Sequence, residues 1–200
     1  MEFPALAQLI NAIRTVAPGR RIIVFGSSSV FGSFPDDDPD ALGVAITQDA
    51  DIFIDPDDVA LRVQLDEKFG EDRAWHVETG HFGDFVDLRF AEIFPIGWRE
   101  RLVPMAGFEN VFALHPLDMA ATKVVATASS RLSRRMGGNT PDRGLKDINT
   151  IVALIRAGRL DFSSLESRVN ALDLSPALTV ECGRVMGEIQ GMTNGEKLEM

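Results

Sequence analysis

Several features are scarce in this chain of 200 residues, and each scarcity excludes a class of protein. Cys182 is its one cysteine, which excludes an internal disulfide and a thiolate metal cluster. No apolar run reaches about 18 residues, so the sequence predicts no membrane-spanning helix. Residues 1–17 lack the basic start of a secretory signal peptide. Together these absences predict a cytoplasmic protein without a disulfide scaffold.

Charge is abundant but unevenly distributed. The net charge of −10 argues against a protein that coats nucleic acid through bulk charge. Residues 36–87 hold 16 acids and three bases, a net of −13, whereas residues 123–168 hold nine bases and four acids, a net of +5. Solvated surface is the simplest interpretation of both stretches. The net positive charge of residues 123–168 is nevertheless compatible with local binding of phosphates.

Hydrophobic periodicity predicts an α/β (α+β) fold in which a mixed-sheet domain, residues 1–114, precedes a helical domain, residues 115–200. Period-two or β-branched runs predict strands at 21–25, 49–55, 75–79, 85–90 and 111–114. Apolar spacing of three and four predicts helices at 3–17, 56–69, 94–106, 116–132, 142–157, 163–172 and 176–191.

Two aspartates in the second predicted strand indicate a metal site. Asp49 and Asp51 are two residues apart, so both side chains point to one face, about 7 Å apart along the chain. Like carboxylates on one face repel, and Mg²⁺, which prefers oxygen ligands, relieves this repulsion. Asp87, on a later predicted strand, is the candidate third carboxylate. Three carboxylates can hold two ions for an in-line displacement at phosphorus.

Gly26-Ser27 follows a buried strand and opens a short helix. A glycine lets phosphate approach the backbone, and free N–H groups and a serine hydroxyl can hold phosphate oxygens. The sequence contains neither the G-x-x-x-x-G-K-[ST] loop nor the G-x-G-x-x-G fingerprint. The Gly-Ser turn therefore predicts a phosphate site of a different kind.

Each of these patterns alone is common, but their order is informative. Phe25–Ser27, Asp49–Ile52 and Val86–Leu88 together resemble the polymerase-beta-like nucleotidyltransferase superfamily. His115–Lys123 and Arg143–Ile148 resemble the D-L-x-x-x-K-L and R-x-K-D-x-x-D segments of the AbiEii-like nucleotidyltransferases. That bacterial group includes toxins of toxin–antitoxin and phage-defence systems.

The resemblance implies Mg²⁺-dependent transfer of a nucleoside monophosphate from an NTP to an acceptor hydroxyl. It assigns Asp49, Asp51 and Asp87 to catalysis and to two Mg²⁺ ions. It implies that the nucleotide binds between the two domains. The six residues that would bind it are Gly26, Ser27, Lys123, Arg143, Lys146 and Asp147. RNA is an implied acceptor, and an antitoxin is an implied protein partner.

Two departures from the family pattern leave alternatives open. Ser27 and Asp49 are separated by 21 residues that include an acidic loop, and Thr150 stands where the pattern has a second acid. One alternative is a binding module that has kept the fold without catalysis. Another is a small-molecule transferase with a cationic, aminoglycoside-like acceptor. Asp147 is equally well explained by an interhelical ion pair, and plain surface is favoured for the arginines at 131, 134 and 135.

Overall fold

The computed structural model describes residues 1–44, 47–87, 89, 93–140 and 144–195. Within these ranges it contains seven α-helices and one five-stranded mixed sheet, so the predicted mixed α/β class is confirmed. None of the described helices has both the length and the apolar character needed to cross a membrane.

The sheet has the strand order β3-β2-β1-β5-β4. Its strands are β1 Arg21–Val24, β2 Asp49–Asp55, β3 Phe82–Phe85, β4 Val103–Pro104 and β5 Val111–Ala113. Strand β1 runs antiparallel to β2 and parallel to β5, β2 runs parallel to β3, and β4 runs antiparallel to β5. The apolar strand β1 is therefore central, as its β-branched run predicts.

The helices lie before, between and after the strands. They are α1 Phe3–Val16, α2 Val59–Phe69, α3 Ala74–Thr79, α4 Pro116–Arg135, α5 Gly144–Arg156, α6 Phe162–Asn170 and α7 Pro176–Thr193. Two 3₁₀ helices are Ser27–Gly32 and Trp98–Arg101. The predicted α1 and the four helices from Pro116 onward are confirmed to within a few residues, because their apolar spacing is regular.

The chain divides into two compact units. The first comprises residues 1–40, 44–92 and 98–116, and it contains the sheet with α1, α2 and α3. The second comprises residues 41–43, 93–97 and 117–200, and it contains the helices from α4 onward.

The first unit is built on the apolar face of α1 and the central strands. The four residues of that face, spaced three and four apart, are fully buried: Leu6, Leu9, Ile10 and Ile13. In β2, Ile52 and Ile54 are buried on one face, and Phe53 is buried on the other. Asp58 caps the N-terminus of helix α2, because its carboxylate accepts a hydrogen bond from the Leu61 amide at 3.1 Å.

Three of the predicted elements before residue 114 are wrong. Residues 75–79 form most of helix α3 and not a strand, because Trp75 packs edge-on against Phe69, with ring centroids 5.3 Å apart, and Gly80 ends the helix with a φ of +77°. This packing outweighs the β-propensity of the residues. Residues 94–106 do not form a helix, because Gly97 has a φ of +77° and the chain beyond it forms a 3₁₀ helix and β4.

The third error concerns the strand predicted at 85–90. Strand β3 ends at Phe85, where the prediction had it begin. The prediction rested on the alternation of Val86, Leu88 and Phe90, of which Leu88 and Phe90 lie outside the described residues. The strand that forms is Phe82–Phe85, which pairs with the first four residues of β2.

In the second unit, ion pairs join the helices around an apolar core. Asp118 of α4 is fully buried and pairs with Arg168 of α6. Glu181 of α7 is almost fully buried and accepts hydrogen bonds from Arg135 of α4 at 2.6 Å and Arg184 at 2.8 Å. Because buried carboxylates need such partners, these pairs fix how the helices meet.

Cys182 faces this core, and the environment of its thiol gives the first testable prediction. Burial, followed by the negative charge of Glu181, raises the pKa of the Cys182 thiol to about 11. The folded protein should therefore hold its thiol protonated at pH 8. Alkylation by iodoacetamide, which requires the thiolate, should be at least about 100-fold slower than in the urea-unfolded chain, whose cysteine has a pKa near 8.5.

Intact-mass spectrometry measures this rate directly, because the chain has one cysteine. The rate should rise about tenfold for each pH unit between 8 and 10 while the fold is retained. Equal rates in the folded and unfolded chains would contradict the burial of the thiol.

Candidate functional site

The Gly-Ser turn and the D-x-D strand are in direct contact. The Phe25 amide donates to the Asp51 carbonyl at 2.8 Å, which extends the pairing of β1 with β2. Gly26 follows with a φ of +56°. A Cβ at Gly26 would lie 3.1 Å from Cγ of Asp51 and would overlap its Oδ2 atom. The Asp51 carboxylate therefore rests against the bare Cα of Gly26, and only glycine fits there.

The three serines after Gly26 have different roles. The Ser28 hydroxyl donates to the Asp49 carbonyl at 3.1 Å, and the Ser29 hydroxyl donates to the Gly26 carbonyl at 2.7 Å. No side chain caps the short helix that begins at Ser27. Ser27 is 7% exposed, and within the described part of the chain its hydroxyl has no hydrogen-bond partner. It is the serine of the turn whose hydroxyl remains available to a ligand.

Asp49 and Asp51 are half-buried on one face of β2, and the alternate residues Ala50 and Ile52 are buried on the other. The two carboxylates thus share a face, as the spacing predicts. Hard carboxylate oxygens on one face suit Mg²⁺, which proteins commonly hold with one or two carboxylates. No group of three metal-ligating side chains occurs among the residues that the structure describes.

Asp87, the predicted third carboxylate, lies two residues beyond the end of β3 and is engaged elsewhere. Its carboxylate accepts hydrogen bonds from the Arg89 amide at 2.9 Å and from Arg89 Nη2 at 2.6 Å, and Arg62 lies 3.9 Å away. The hydrogen bond from the Arg89 guanidinium lowers the pKa of the Asp87 carboxyl below its ordinary value. Two arginines already balance this charge.

The strand register brings a different aspartate to the D-x-D strand. Strands β2 and β3 are parallel, and Asp84 is the register partner of Asp51. Asp84 is exposed, between the buried Gly83 and Phe85. The sequence pattern does not predict a strand there, because Gly83 weakens the strand signal.

The predicted residues of the second unit form an ion pair. Lys123 of α4 donates to Asp147 of α5 at 2.5 Å, and their side chains are only 12% and 10% exposed. This is the interhelical pair that was the alternative explanation of Asp147. Lys146 is exposed one position earlier on α5, and Arg143 lies outside the described residues. The structure therefore brings two of these four residues together.

Thr150 explains one departure from the family pattern. Its buried hydroxyl lies 3.0 Å from the Gly43 carbonyl and 3.2 Å from the Lys146 carbonyl. Gly43 has a φ of +69°, and a Cβ there would lie 3.0 Å from Cβ of Ala153. Gly43, the last residue of the acidic loop (residues 34–43), is thus fastened to α5 by a hydroxyl donor. An ionised acid at this position has no proton to donate.

The arginines at 131, 134 and 135 line one open depression at the end of α4. Arg131 makes a two-pronged pair with Glu188 of α7 at 2.6 and 2.9 Å, and Arg135 pairs with Glu181. At least two of the three arginines therefore join α4 to α7. These ion pairs favour a structural role for the arginines over a role in binding an acceptor.

A scan against protein-family models, a search of curated proteins and a search of solved structures each found no match to this chain. The function of the site is therefore inferred from its own residues.

The contact at Gly26 predicts the effect of adding one methyl group. Gly26→Ala must overlap the Asp51 carboxylate and also adopt a positive φ, whereas Gly19→Ala, at a φ of +72°, meets no atom within 4 Å. Each variant should lose about 1–2 kcal/mol for the left-handed backbone. Only Gly26→Ala should lose more, because a close-packed carboxylate must move as well.

Urea unfolding of the two variants measures the difference in the free energy of unfolding. Equal destabilisation of the two would show that Asp51 does not rest against Gly26.

Thr150 gives a second prediction about the site. Thr150→Val keeps the shape and removes the donor to Gly43, which should cost about 1–2 kcal/mol. Thr150→Asp, the acid of the family pattern, should cost more than about 2 kcal/mol, because it buries an ionised group without a donor for the Gly43 carbonyl. Urea unfolding at pH 7 measures both variants. An aspartate variant as stable as the original chain would contradict the role given to Thr150.

Proposed function

We propose that this protein is a Mg²⁺-dependent nucleotidyltransferase that moves a nucleoside monophosphate from an NTP to an acceptor hydroxyl. The observation that carries the proposal is the contact between Asp51 and Gly26. This contact places Asp49 and Asp51, a carboxylate pair suited to a metal, beside the Gly26-Ser27 turn, which is suited to phosphate. RNA is the acceptor that the family resemblance favours.

The carboxylates of Asp49 and Asp51 would hold the metal with the triphosphate. A Mg²⁺ ion held by these carboxylates would neutralise phosphate charge and would make the α-phosphorus a better electrophile. The two aspartates share one strand face, so they need no rearrangement of the backbone to act together. Their position in a strand of the sheet, and not in a loop, gives the site a rigid support.

The Gly-Ser turn would bind the phosphates. The Ser27 hydroxyl can donate to a phosphate oxygen. In the reaction, the acceptor oxygen forms a bond to the α-phosphorus while the bond from that phosphorus to the bridging oxygen breaks. Pyrophosphate leaves, and the hydroxyl proton passes to a carboxylate or to water.

The resemblance also gives nucleotide-binding roles to residues of the second unit. Lys123 is suited to phosphate as a point charge, and Asp147 holds its ammonium in a fixed position. Lys146 and Arg143 keep the nucleotide-binding roles that the resemblance gives them. The same resemblance extends the proposal to a toxin of a toxin–antitoxin or phage-defence pair, with an antitoxin as a protein partner.

Removing one carboxylate of the pair tests the proposal. Asp51→Asn should lower transfer of label from an α-labelled NTP to RNA by more than about 100-fold, because even residues that only orient a metal ligand are worth about 10- to 100-fold. Asp49→Asn should have a similar effect. Circular dichroism should show that both variants keep the fold.

Glu67→Gln is the matched control. Glu67 is an exposed acid on α2, and its substitution removes the same charge from the same unit. Transfer by this variant should remain within about twofold of the original rate, because exposed positions away from a site contribute little. Full activity of Asp51→Asn would overturn the proposal.

One observation favours a second candidate, a binding module without catalysis. Asp87 is paired with Arg89, and the described residues include no group of three metal-ligating side chains. A site with two carboxylates could retain a Mg²⁺–nucleotide complex without activating an acceptor. Metal-dependent NTP binding by calorimetry, without transfer to any acceptor, would favour this candidate.

A further inference from the structure

A partly enclosed cavity of about 230 Å³ lies in the second unit, between α6, α7 and the segment that joins them. Its inner wall is formed by the buried side chains of Val169, Cys182 and Met186, and the joining segment adds Leu172 and Leu174. An apolar cavity of about 150 Å³ is already large enough to bind benzene. The cavity between α6 and α7 therefore has room for one aromatic ring that carries a short chain.

Two glycines of α7 keep this cavity open. Gly183 and Gly187 are one helical turn apart, and both line it. A Cβ at either position would meet no atom within 4 Å, so close packing does not require a glycine at either one. Glycine in the interior of a helix is less stable than alanine, because it loses more conformational freedom on folding. What the two glycines provide is the space that they leave free.

Polar groups of the cavity are left without partners inside the described part of the chain. The Cys182 thiol is 2% exposed and donates no hydrogen bond to any described residue. Glu166, exposed at the rim, forms no ion pair with them, and it is the one charged side chain among the described residues of the lining. Asn170 and Gln190 place amides at the same rim. An apolar wall with a few polar groups at its edge is the usual design of a small-molecule site.

We propose that the cavity between α6 and α7 binds a small organic ammonium ion whose body is a single compact apolar group, such as one aromatic ring. The apolar group would lie against Val169 and Met186, in the space left free by Gly183 and Gly187. The ammonium would lie at the rim beside the Glu166 carboxylate. This carboxylate disfavours an anion, so the cavity would not serve the nucleotide, and the inference stands independently of the proposed function.

Three probes of similar size and different charge test this preference: phenethylamine, phenethyl alcohol and phenylacetate. Calorimetry on the full chain at pH 7 should show that the amine binds about two- to fivefold more tightly than the alcohol, the range of an exposed ion pair. Phenylacetate should bind most weakly. Glu166→Gln should abolish the advantage of the amine without changing binding of the alcohol. The control is Asp173→Asn, which removes an exposed acid outside the lining and should preserve that advantage.

Filling the cavity tests where the amine binds. Gly187→Leu places a side chain where a Cβ meets no atom, so the helix should be retained. Binding of phenethylamine should fall at least about tenfold, because the ring loses its apolar surroundings. Val180→Leu enlarges an exposed side chain of α7 outside the lining, and it should leave binding within about twofold.

Cys182 reports occupancy of the cavity in the original protein, since it lines the wall. Phenethylamine at ten times its dissociation constant should slow alkylation of this thiol about tenfold, because only the unoccupied fraction reacts. Alkylation that the amine does not slow would overturn the inference, even where Gly187→Leu fails to fold. So would absence of amine binding at millimolar concentration, equal binding of the three probes, or full binding by a Gly187→Leu variant whose circular dichroism is unchanged.

Discussion

The contact of the Asp51 carboxylate with the Cα of Gly26 is the constraint on which the first unit's site depends. It requires β1 and β2 to be antiparallel neighbours, since the Phe25 amide must reach the Asp51 carbonyl. It also requires a residue without a side chain, in a left-handed conformation, where β1 ends. The close approach of Asp51 to Gly26 thereby fixes the end of β1, the turn that follows it and the Asp51 carboxylate.

The residues after this contact are arranged around it. Ser28 donates to the carbonyl of Asp49 and Ser29 to that of Gly26, so two of the three hydroxyls hold the turn against β2. The third, on Ser27, has no such structural duty among the residues described. A turn that commits two hydroxyls to its own backbone is rigid, and rigidity lowers the entropy lost when a ligand binds.

Much of this arrangement could be predicted from the sequence, because local signals were strong. The run Arg21–Phe25 and the alternation of Asp49–Asp55 specify two strands, and the shared face of Asp49 and Asp51 follows from their spacing alone. The regular apolar spacing after Pro116 likewise specifies four helices. In these segments, local preference and tertiary packing agree.

The rest could not be predicted because it depends on pairing and packing between distant residues. Strand β3 contains Gly83, a weak strand former, and its existence depends on β2 beside it. The apolar alternation after Phe85 was the stronger local signal, so the prediction placed the strand at 85–90 and chose Asp87 as its carboxylate. The ion pair of Lys123 with Asp147 likewise depends on packing between distant residues, since its partners are 24 positions apart in the sequence.

The hydrogen bond between Thr150 and Gly43 limits how the chain can be cut into separate fragments. Residues 41–43 belong to the second unit although the chain on either side belongs to the first, and residues 93–97 repeat this pattern. The polypeptide therefore passes between the units at five points, after residues 40, 43, 92, 97 and 116. A fragment ending at residue 114 would keep Gly43 and lose α5, the helix on which Gly43 is seated. The two units are thus interleaved along the chain, and no single cleavage yields either of them whole.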